Sequence, residues 1–147
     1  MIVRIPQRTQ TDCAICTVAM VMVALLGETY GYERVLADSY RYPRTNVDGK
    51  FSAWWETYFR DKGLDGCYCA FNGLFSLPDS RGSIVGMLGM EIPRLKMGHI
   101  VAVDEFGVID PADNAPDHVS LTDYVLSRAP DGVIFQNIWL AVRKPVV

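Results

Sequence analysis

The stretch that decides the fold is "PQRTQTDCAICTVAMV", Pro6–Val21, near the start of the chain. Within it, Cys13 begins an almost uncharged run that continues to Leu26 and is followed by Gly27, a common helix stop. The run is apolar nearly all round, which is typical of a buried helix and not of a surface helix. The sequence therefore predicts a central helix from Cys13 to about Leu26.

The same run follows Arg4 and Arg8, so a secretory signal is an alternative interpretation. Asp12 directly precedes the apolar run, and the following "GETYGYERV" has no small-x-small cleavage pattern, which both argue against a signal. The run is also shorter than the roughly 20 apolar residues that a membrane span needs. We therefore expect a helix of the folded domain, capped by Thr11 or Asp12.

Composition and charge limit the class of protein. The chain has 147 residues, of which 50% are hydrophobic and 21% charged, and this predicts one folded domain over residues 1–147. A net charge of -3, with both signs mixed along the chain, argues against a nucleic-acid partner. Four cysteines are too few for a disulfide scaffold and indicate a reducing, cytoplasmic location. We expect no membrane partner, and the oligomeric state is left open.

The rest of the first half is mainly helical by pattern. The segment "YERVLADSYRY" (32–42) predicts an amphipathic helix that ends before a proline. The segment "SAWWETYFRDKG" (52–63) predicts another, with Ser52 as N-cap and Gly63 as stop. Between them, "RTNVDGK" (44–50) predicts a loop.

The second half changes to β-branched and aromatic runs separated by Gly, Pro and Asp. The predicted strands are "CYCAF" (67–71), "GSIVGML" (82–88), "HIVAV" (99–103), "GVID" (107–110) and "VIFQNIWLAVRK" (133–144). One more helix, "SLTDYVLSR" (120–128), interrupts them. Helices followed by strands predict an α+β fold in which the cysteine helix packs on an antiparallel sheet.

Cys13 has the position of a nucleophile, because a helix N-terminus favours the reactive thiolate form of a cysteine. Attack on an acyl carbon also needs a base, a group that orients the base, and donors for the oxyanion. At neutral pH the base is a histidine, and the chain has two. His118, in "NAPDHVS", is expected to be an exposed residue before a helix, whereas His99 begins an apolar strand.

A partner for His99 follows in "HIVAVDEFGVIDP" (99–111), which predicts a hairpin that turns within "DEFG". A two-residue loop places Asp110 opposite Val101 and diagonal to His99, and a four-residue loop places it directly opposite His99. In both cases the side chains of His99 and Asp110 lie on the same face of the hairpin, close enough to contact each other. An odd loop length separates them, and Asp110 then only begins the turn "DPADNAPD".

A glutamine completes the candidate site. The side-chain amide of Gln7, six residues before Cys13, can donate to an oxyanion together with the backbone N–H of the nucleophile. Gln10 is an alternative donor, but it lies only three residues from Cys13.

These residues, in this order, resemble those of the papain-like cysteine peptidases. The nearest branch is the bacteriocin-processing peptidases, which act at double-glycine sites, and their small stand-alone relatives. Their usual "DCG-x-A-x-x-AM" is similar to "DCAICTVAM" (12–20), in which Ala14 stands where glycine is typical. The resemblance covers residues 6–22 and 98–111 closely and the intervening helices only in outline.

The resemblance implies a role for each residue that matches the family pattern. Cys13 matches the nucleophile, His99 the general base, Asp110 the residue that orients the imidazole, and Gln7 the oxyanion donor. It further implies a peptide or protein substrate, cleaved at a peptide or isopeptide bond through an acyl-enzyme, with no cofactor. The acceptor, water or an amine, is left open.

Two other classes of function compete with this one. The pair Cys13 and Cys16 has thioredoxin-like spacing, and Cys67 with Cys69 in "CYC" could complete a zinc site. Both observations have an alternative explanation without metal or redox chemistry. Cys16 can simply pack beneath the nucleophile, and the two cysteines of "CYC" can lie on one face of a core strand.

The second competitor is a non-catalytic binding module on the same fold. Its candidate partner surface is the aromatic cluster in the helix at 52–63, formed by Trp54, Trp55, Tyr58 and Phe59. The alternative interpretation of this cluster is a helix packing its wide face on the sheet.

Overall fold

Four α-helices and eight β-strands lie in the part of the chain that the computed structural model describes, residues 1–43, 45–47, 50–70, 84–113, 117–135 and 138–143. The helices are α1 (Cys13–Leu26), α2 (Tyr32–Ser39), α3 (Trp54–Asp61) and α4 (Leu121–Arg128). The strands are β1 (Thr45–Val47), β2 (Lys50–Ser52), β3 (Asp65–Ala70), β4 (Ile84–Ile92), β5 (Met97–Asp104), β6 (Gly107–Ile109), β7 (Ile134–Phe135) and β8 (Ile138–Arg143). Short 3-10 turns occupy Glu28–Tyr30, Pro93–Leu95 and Ala129–Asp131.

Six strands form one antiparallel sheet: five lie in the order β3-β8-β4-β5-β6, and the sixth, β7, pairs with β4 outside this order. β7 and β8 pair in succession with the same edge of β4, because the other edge is taken by β5. β1 and β2 form a separate hairpin. The predicted α+β class, with an N-terminal helix on an antiparallel sheet, is confirmed.

Helix α1 packs against β4 and β5 and supplies much of the larger hydrophobic core. Residues 16–22 are fully buried because apolar side chains occupy all sides of the helix. Thr17, the polar residue of this stretch, donates its hydroxyl to the Ile100 carbonyl of β5 at 3.0 Å. The helix ends at Gly27, whose φ of 107° favours glycine. No helix within the described residues is long and apolar enough to cross a membrane.

The sheet has a different core on each face. Ile100 and Ala102 of β5 pack with the α1 core. Val101 and Val103 pack on the opposite side, with Tyr124 of α4. This alternation follows from the two-residue period of a strand, and it decides which helix each residue of β5 faces.

Helix α4 is held to β6 by a close backbone approach. Val108 and Val119 form two backbone hydrogen bonds, of 2.7 and 2.9 Å. Gly107 has a φ of 125°, and a Cβ at this position would lie 2.3 Å from the Val119 carbonyl oxygen, so only glycine fits. The hydroxyl of Ser120 then caps α4 by accepting the Asp123 N–H at 3.1 Å.

The sequence predicted the bounds of α1 correctly and those of other elements less well. Helix α2 ends at Ser39, short of the expected residue 42, and α3 begins at Trp54 because Ser52 belongs to β2. The predicted loop 44–50 contains β1 and the start of β2. The predicted strand 133–144 corresponds to β7 and β8. Residues 71, 82–83, 136–137 and 144 of the predicted strands lie outside the described part of the chain.

The aromatic cluster of α3 belongs to the core. Trp54, Tyr58 and Phe59 are buried there, and Trp55 packs at its margin. Of the two interpretations of this cluster, the structure bears out packing and not a partner surface, because an amphipathic helix turns its aromatic face inward to remove it from water.

Candidate active site

The β5–β6 hairpin brings His99 and Asp110 together. Its turn holds two residues, Glu105 and Phe106. Nε2 of His99 and Oδ1 of Asp110 are 2.7 Å apart, and the two side chains are 8% and 3% exposed. The diagonal contact predicted for a two-residue loop is therefore confirmed, and its physical reason is the shared face of the two strands.

Cys13 is the first residue of α1 and is partly exposed. Its thiol lies close enough to the side chain of His99 to raise the pKa of the imidazole. Because Nε2 of the imidazole is bonded to Asp110, Nδ1 is the nitrogen left for the sulfur. The sulfur also lies beside the unpaired N–H groups of the first helical turn, which favour negative charge.

The imidazole of His99 is held in its charged form. Burial disfavours the charged form, but the hydrogen bond to Asp110 and the interaction with Cys13, together with the negative charge of both groups, outweigh burial and raise the pKa of His99 to about 9. At neutral pH the ring is therefore an imidazolium between a carboxylate and a sulfur. This is the protonation state from which an imidazole can give a proton to a leaving group.

Asp110 accepts hydrogen bonds at both carboxylate oxygens. Oδ1 accepts the backbone N–H of Ala112 at 2.8 Å as well as the contact from His99. Oδ2 accepts the hydroxyl of Tyr124 at 2.6 Å and lies 3.5 Å from Nη2 of Arg128. Burial raises the pKa of Asp110, but the bonds from His99, Tyr124 and Ala112 outweigh burial and bring it below the ordinary value. Asp110 therefore stays a carboxylate in a buried position.

Tyr124 and Arg128 are site residues that the sequence analysis missed. Burial and the neighbouring Asp110 raise the pKa of Tyr124 well above its ordinary value, so its phenol remains a donor. Arg128 lies over the Tyr124 ring, 4.8 Å from its centroid, and makes 2.8 Å contacts with both carboxylate oxygens of Asp113. Tyr124 and Arg128 are four residues apart on a predicted helix, and this spacing indicates that they lie on the same face of it. Only the tertiary structure brings that face to Asp110.

Gln7 lies in the loop before α1, and its backbone N–H donates to the Pro111 carbonyl at 2.9 Å. One N–H of its side-chain amide donates to the Thr9 carbonyl at 3.0 Å. An amide has two such hydrogens, so the second can donate elsewhere. The structure thus brings Gln7 next to the Asp110 turn, and both Gln7 and Gln10 line the same cavity as His99.

Asp12 organises the loop between Gln7 and the nucleophile. Its carboxylate accepts the backbone N–H groups of Arg8 and Thr9, each at 3.1 Å, and the Tyr32 hydroxyl at 2.9 Å. Asp12 occupies the N-cap position but makes no capping hydrogen bond with its side chain. Of the two expected candidates, Asp12 is therefore the N-cap residue by position, but its side chain does not cap the helix, because the carboxylate turns back onto the preceding loop.

Cys16 is a buried thiol beneath the N-terminus of α1. Its Sγ is 3.6 Å from the Pro6 carbonyl oxygen. Burial first, and then the charge of Asp12, raise the pKa of Cys16 to about 12. Cys16 therefore lacks the thiolate character that redox exchange requires.

The cysteines do not form one site among the described residues. Cys67 is exposed on β3, an edge strand that β8 separates from β4, whereas Cys13 and Cys16 lie on the helix that packs on β4 and β5. The expectation that Cys67 faces a core is wrong, and the side chain of Cys69 lies outside the described part. Within that part, no three His, Cys, Asp or Glu side chains are grouped to hold a metal.

His118 is part of a second histidine–carboxylate pair. Its Nε2 is 2.9 Å from Oδ2 of Asp104, and its side chain is mostly buried. The same carboxylate accepts the backbone N–H groups of Ile2 and Phe106, each at 2.8 Å. The expectation of an exposed His118 is therefore wrong. Through these hydrogen bonds, Asp104 connects the start of the chain and the segment before α4 with the β5–β6 turn.

A cavity of about 690 Å³ lies beside the imidazole. One wall is the loop at 7–10, the second is the adjoining ends of β4 and β5, and the third is α4 with the turn after it. His99 and Asp110 line the cavity, whereas Cys13 does not.

The four residues singled out from the sequence thus lie in one region, with His99 bonded to Asp110 and close enough to Cys13 for the thiol to raise the pKa of the imidazole. No known family model matches the sequence, and comparison with curated proteins finds no match. The function is therefore inferred from the chemistry of these residues.

Proposed function

We propose that this protein is a cysteine hydrolase that cleaves a peptide or isopeptide bond through Cys13, His99 and Asp110. One observation carries the proposal: the imidazole of His99 lies 2.7 Å from the buried carboxylate of Asp110 and close enough to the Cys13 thiol for the two to interact. This is the nucleophile–base–orienting group series of a covalent acyl-transfer enzyme.

The reaction begins when the Cys13 thiolate attacks the carbonyl carbon and a carbon–sulfur bond forms. The carbonyl oxygen becomes an oxyanion, which the Cys13 backbone N–H and the Gln7 amide stabilise by donation. The carbon–nitrogen bond then breaks while the His99 imidazolium gives its proton to the leaving amine. The products of this half-reaction are a free amine and a thioester on Cys13.

The second half-reaction releases the acyl group. Water attacks the thioester carbonyl while neutral His99 takes one of its protons, and the carbon–sulfur bond breaks as the oxyanion collapses. A carboxylic acid leaves, and the thiolate and imidazolium are restored. Asp110 stays ionised throughout and holds the imidazole with Nδ1 towards the sulfur.

The order of the residues supports a papain-like relationship. A glutamine precedes a cysteine that begins a buried helix; a histidine on one strand then follows, and an aspartate comes directly after the adjacent antiparallel strand. A reducing compartment such as the cytoplasm suits this chemistry, because Cys13 and Cys16 must remain thiols. The substrate that we propose is a peptide or a protein.

The test is active-site labelling. Near neutral pH, iodoacetamide should alkylate Cys13 well before Cys16, and p-nitrophenyl acetate should leave an acetyl group on Cys13, both located by mass spectrometry. Cys13→Ala should remove acetylation while Cys16→Ala retains it, and EDTA should change neither reaction. Equal labelling of the two cysteines, or no acetyl-Cys13, would exclude the proposed nucleophile.

A further inference from the structure

We propose that Asp113 is a positioning residue of the active site that acts through Arg128. By binding this arginine, Asp113 neutralises its positive charge, so the Asp110 carboxylate interacts mainly with His99. The inference rests on the proposed function and deepens it, because it concerns the group that holds the proton donor of that reaction. Its basis is the set of distances among these four side chains and the turn that joins two of them.

Asp110 lies between two cationic side chains. Its Oδ1 is 2.7 Å from Nε2 of His99, and its Oδ2 is 3.5 Å from Nη2 of Arg128. Only 3% of the Asp110 side chain is exposed, so water and salt screen these charges poorly. A second cation beside a buried carboxylate disfavours the charged form of the first, because the two positive charges repel each other. An Arg128 without its own partner would therefore oppose the charged form of His99.

Asp113 is the closer partner of Arg128. Nη2 of the arginine is 2.8 Å from both carboxylate oxygens of Asp113, a normal length for a charge-assisted hydrogen bond, whereas 3.5 Å to Asp110 is longer than one. Burial disfavours the charged form of Arg128, but the hydrogen bond to Asp113 outweighs burial and raises the pKa of Arg128 above its ordinary value. The guanidinium is therefore paired with Asp113, and the two opposite charges largely cancel at the imidazole.

Backbone and ring contacts fix this arrangement. The N–H of Asp113 donates to the Asp110 carbonyl at 3.2 Å, and the N–H of Ala112 donates to Oδ1 of Asp110 at 2.8 Å, so the turn after β6 holds Asp113 next to Asp110. From α4, the guanidinium of Arg128 lies over the Tyr124 ring, 4.8 Å from its centroid. The ring attracts the cation and keeps it near Asp110 whether or not Asp113 is charged. Its neutralisation therefore has to come from a neighbour, and Asp113 supplies it.

The other charged or titratable groups around His99 and Asp110 come from several elements. They are Cys13 of α1, Arg4, which donates to the Pro111 carbonyl, Tyr124 of α4, and Arg94 and Asp131 in the lining of the cavity. Arg94 and Asp131 are exposed and opposite in charge. All of these groups are retained when Asp113 is replaced, so a change in the titration of His99 then reports on Asp113 and on the arginine that it releases.

Proton NMR of the imidazole rings tests the inference without a substrate. The ring signals of His99 and His118 are followed from pH 5 to 11 and assigned with the variants His99→Gln and His118→Ala. Asp113→Asn should lower the pH at which His99 loses its proton by about one unit, the lower end of the 1–3 units that a neighbouring charge produces. The alkaline limb of ester hydrolysis should move by the same amount in the same direction.

Replacing the arginine should not have this effect. In Arg128→Met the cation is lost and the Asp113 carboxylate remains, so His99 should lose its proton at a pH no lower than in the wild-type protein. In the double variant Asp113→Asn/Arg128→Met neither charge remains, and the titration of His99 should return close to that of the wild type. A turn that had only been loosened would instead shift His99 in the same direction in both single variants.

Two further variants serve as controls. Asp113→Glu keeps a carboxylate within reach of the guanidinium, so His99 should titrate close to the wild-type pH. Asp123→Asn is the matched control, because Asp123 is an exposed acidic residue of α4 and its replacement removes the same charge while Asp113 still binds Arg128. It should leave the titration of His99 unchanged.

An unchanged titration of His99 in Asp113→Asn, an equal downward shift in Arg128→Met, or a shift in Asp123→Asn as large as that in Asp113→Asn would overturn the inference. Each of these results is independent of the acetylation of Cys13, so the proposed function would stand. Conversely, absence of acetyl-Cys13 together with the expected shifts of His99 would overturn the proposed function and support the arrangement of charges.

Discussion

The hydroxyl of Tyr124 donates a 2.6 Å hydrogen bond to Oδ2 of Asp110, and the other oxygen of this carboxylate lies 2.7 Å from His99. Helix α4 therefore fixes the group that orients the base, although α4 lies on the opposite face of the sheet from the helix of Cys13. The site depends on contacts from both faces.

Tyr124→Phe should slow turnover about tenfold and shift the acid limb of the pH–rate profile to higher pH. The ring still packs, but Asp110 loses a donor that holds its pKa down, so it is protonated more readily. Hydrolysis of p-nitrophenyl acetate from pH 4 to 10 measures both effects. The control is Tyr40→Phe, an exposed tyrosine. A loss of thermal stability without a shift of the acid limb would make Tyr124 a packing residue only.

Replacing His99 should remove activity, whereas replacing His118 should reduce folding stability. His99→Ala should abolish turnover and keep the protein folded. His118→Ala should retain turnover and lower the free energy of unfolding by about 1–3 kcal/mol, because buried Asp104 loses one of its partners. Urea unfolding and ester hydrolysis on both variants separate the two losses. Loss of turnover in His118→Ala as complete as in His99→Ala would mean that the base is misassigned.

Turnover should fall on the alkaline side near pH 9, where the imidazolium of His99 loses its proton. The pKa of this group is raised by folding from an ordinary value of 6.5, so its contribution to stability is complete below 6.5 and is lost as the pH rises through about 9. Urea unfolding at pH 6, 7.5 and 9.5 should show this decline, and His99→Gln should remove it. The same decline in His99→Gln would assign it to another group.

Gln7→Ala should cut turnover by about 10²–10³-fold, because an oxyanion-hole donor contributes about 2.7–4 kcal/mol to the barrier. Alkylation of Cys13 by iodoacetamide should hardly change, since that reaction develops no oxyanion. Comparing the two rates on one protein sample tests the role. If alkylation fell as much as turnover, or the variant failed to fold, Gln7 would be structural and Gln10 the next donor to test.

Gly107→Ala should destabilise the protein far more than Gly132→Ala. Both glycines have positive φ, but only at Gly107 would a Cβ meet backbone, the Val119 carbonyl oxygen at 2.3 Å. The substitution should separate α4 from β6 and thereby weaken the contact of Tyr124 with Asp110. Thermal unfolding of the two variants measures the difference, and equal melting temperatures would contradict the proposed packing of α4.

The sequence by itself determined α1 and the alternation of β5 and β6. A helix that is apolar on all sides, such as the run between Asp12 and Gly27, is stable only when it is buried in the core. The local sequence pattern was therefore sufficient to predict where α1 begins and ends. The strand period of two then restricted His99 and Asp110 to the same face for any even loop length. The loop length stayed open in the sequence, and the two-residue turn at Glu105 and Phe106 decided in favour of the contact.

Tertiary structure alone decided the rest of the site. Tyr124 and Arg128 reach Asp110 because β6 and the segment before α4 meet at Gly107, a contact between positions whose local sequence gives no pairing signal. Asp12 and His118 likewise took partners that local propensity could not supply, the Arg8 loop and Asp104. Buried polar groups take whichever donors the packing brings near, because leaving them unpaired is costly, and packing is a property of the whole fold.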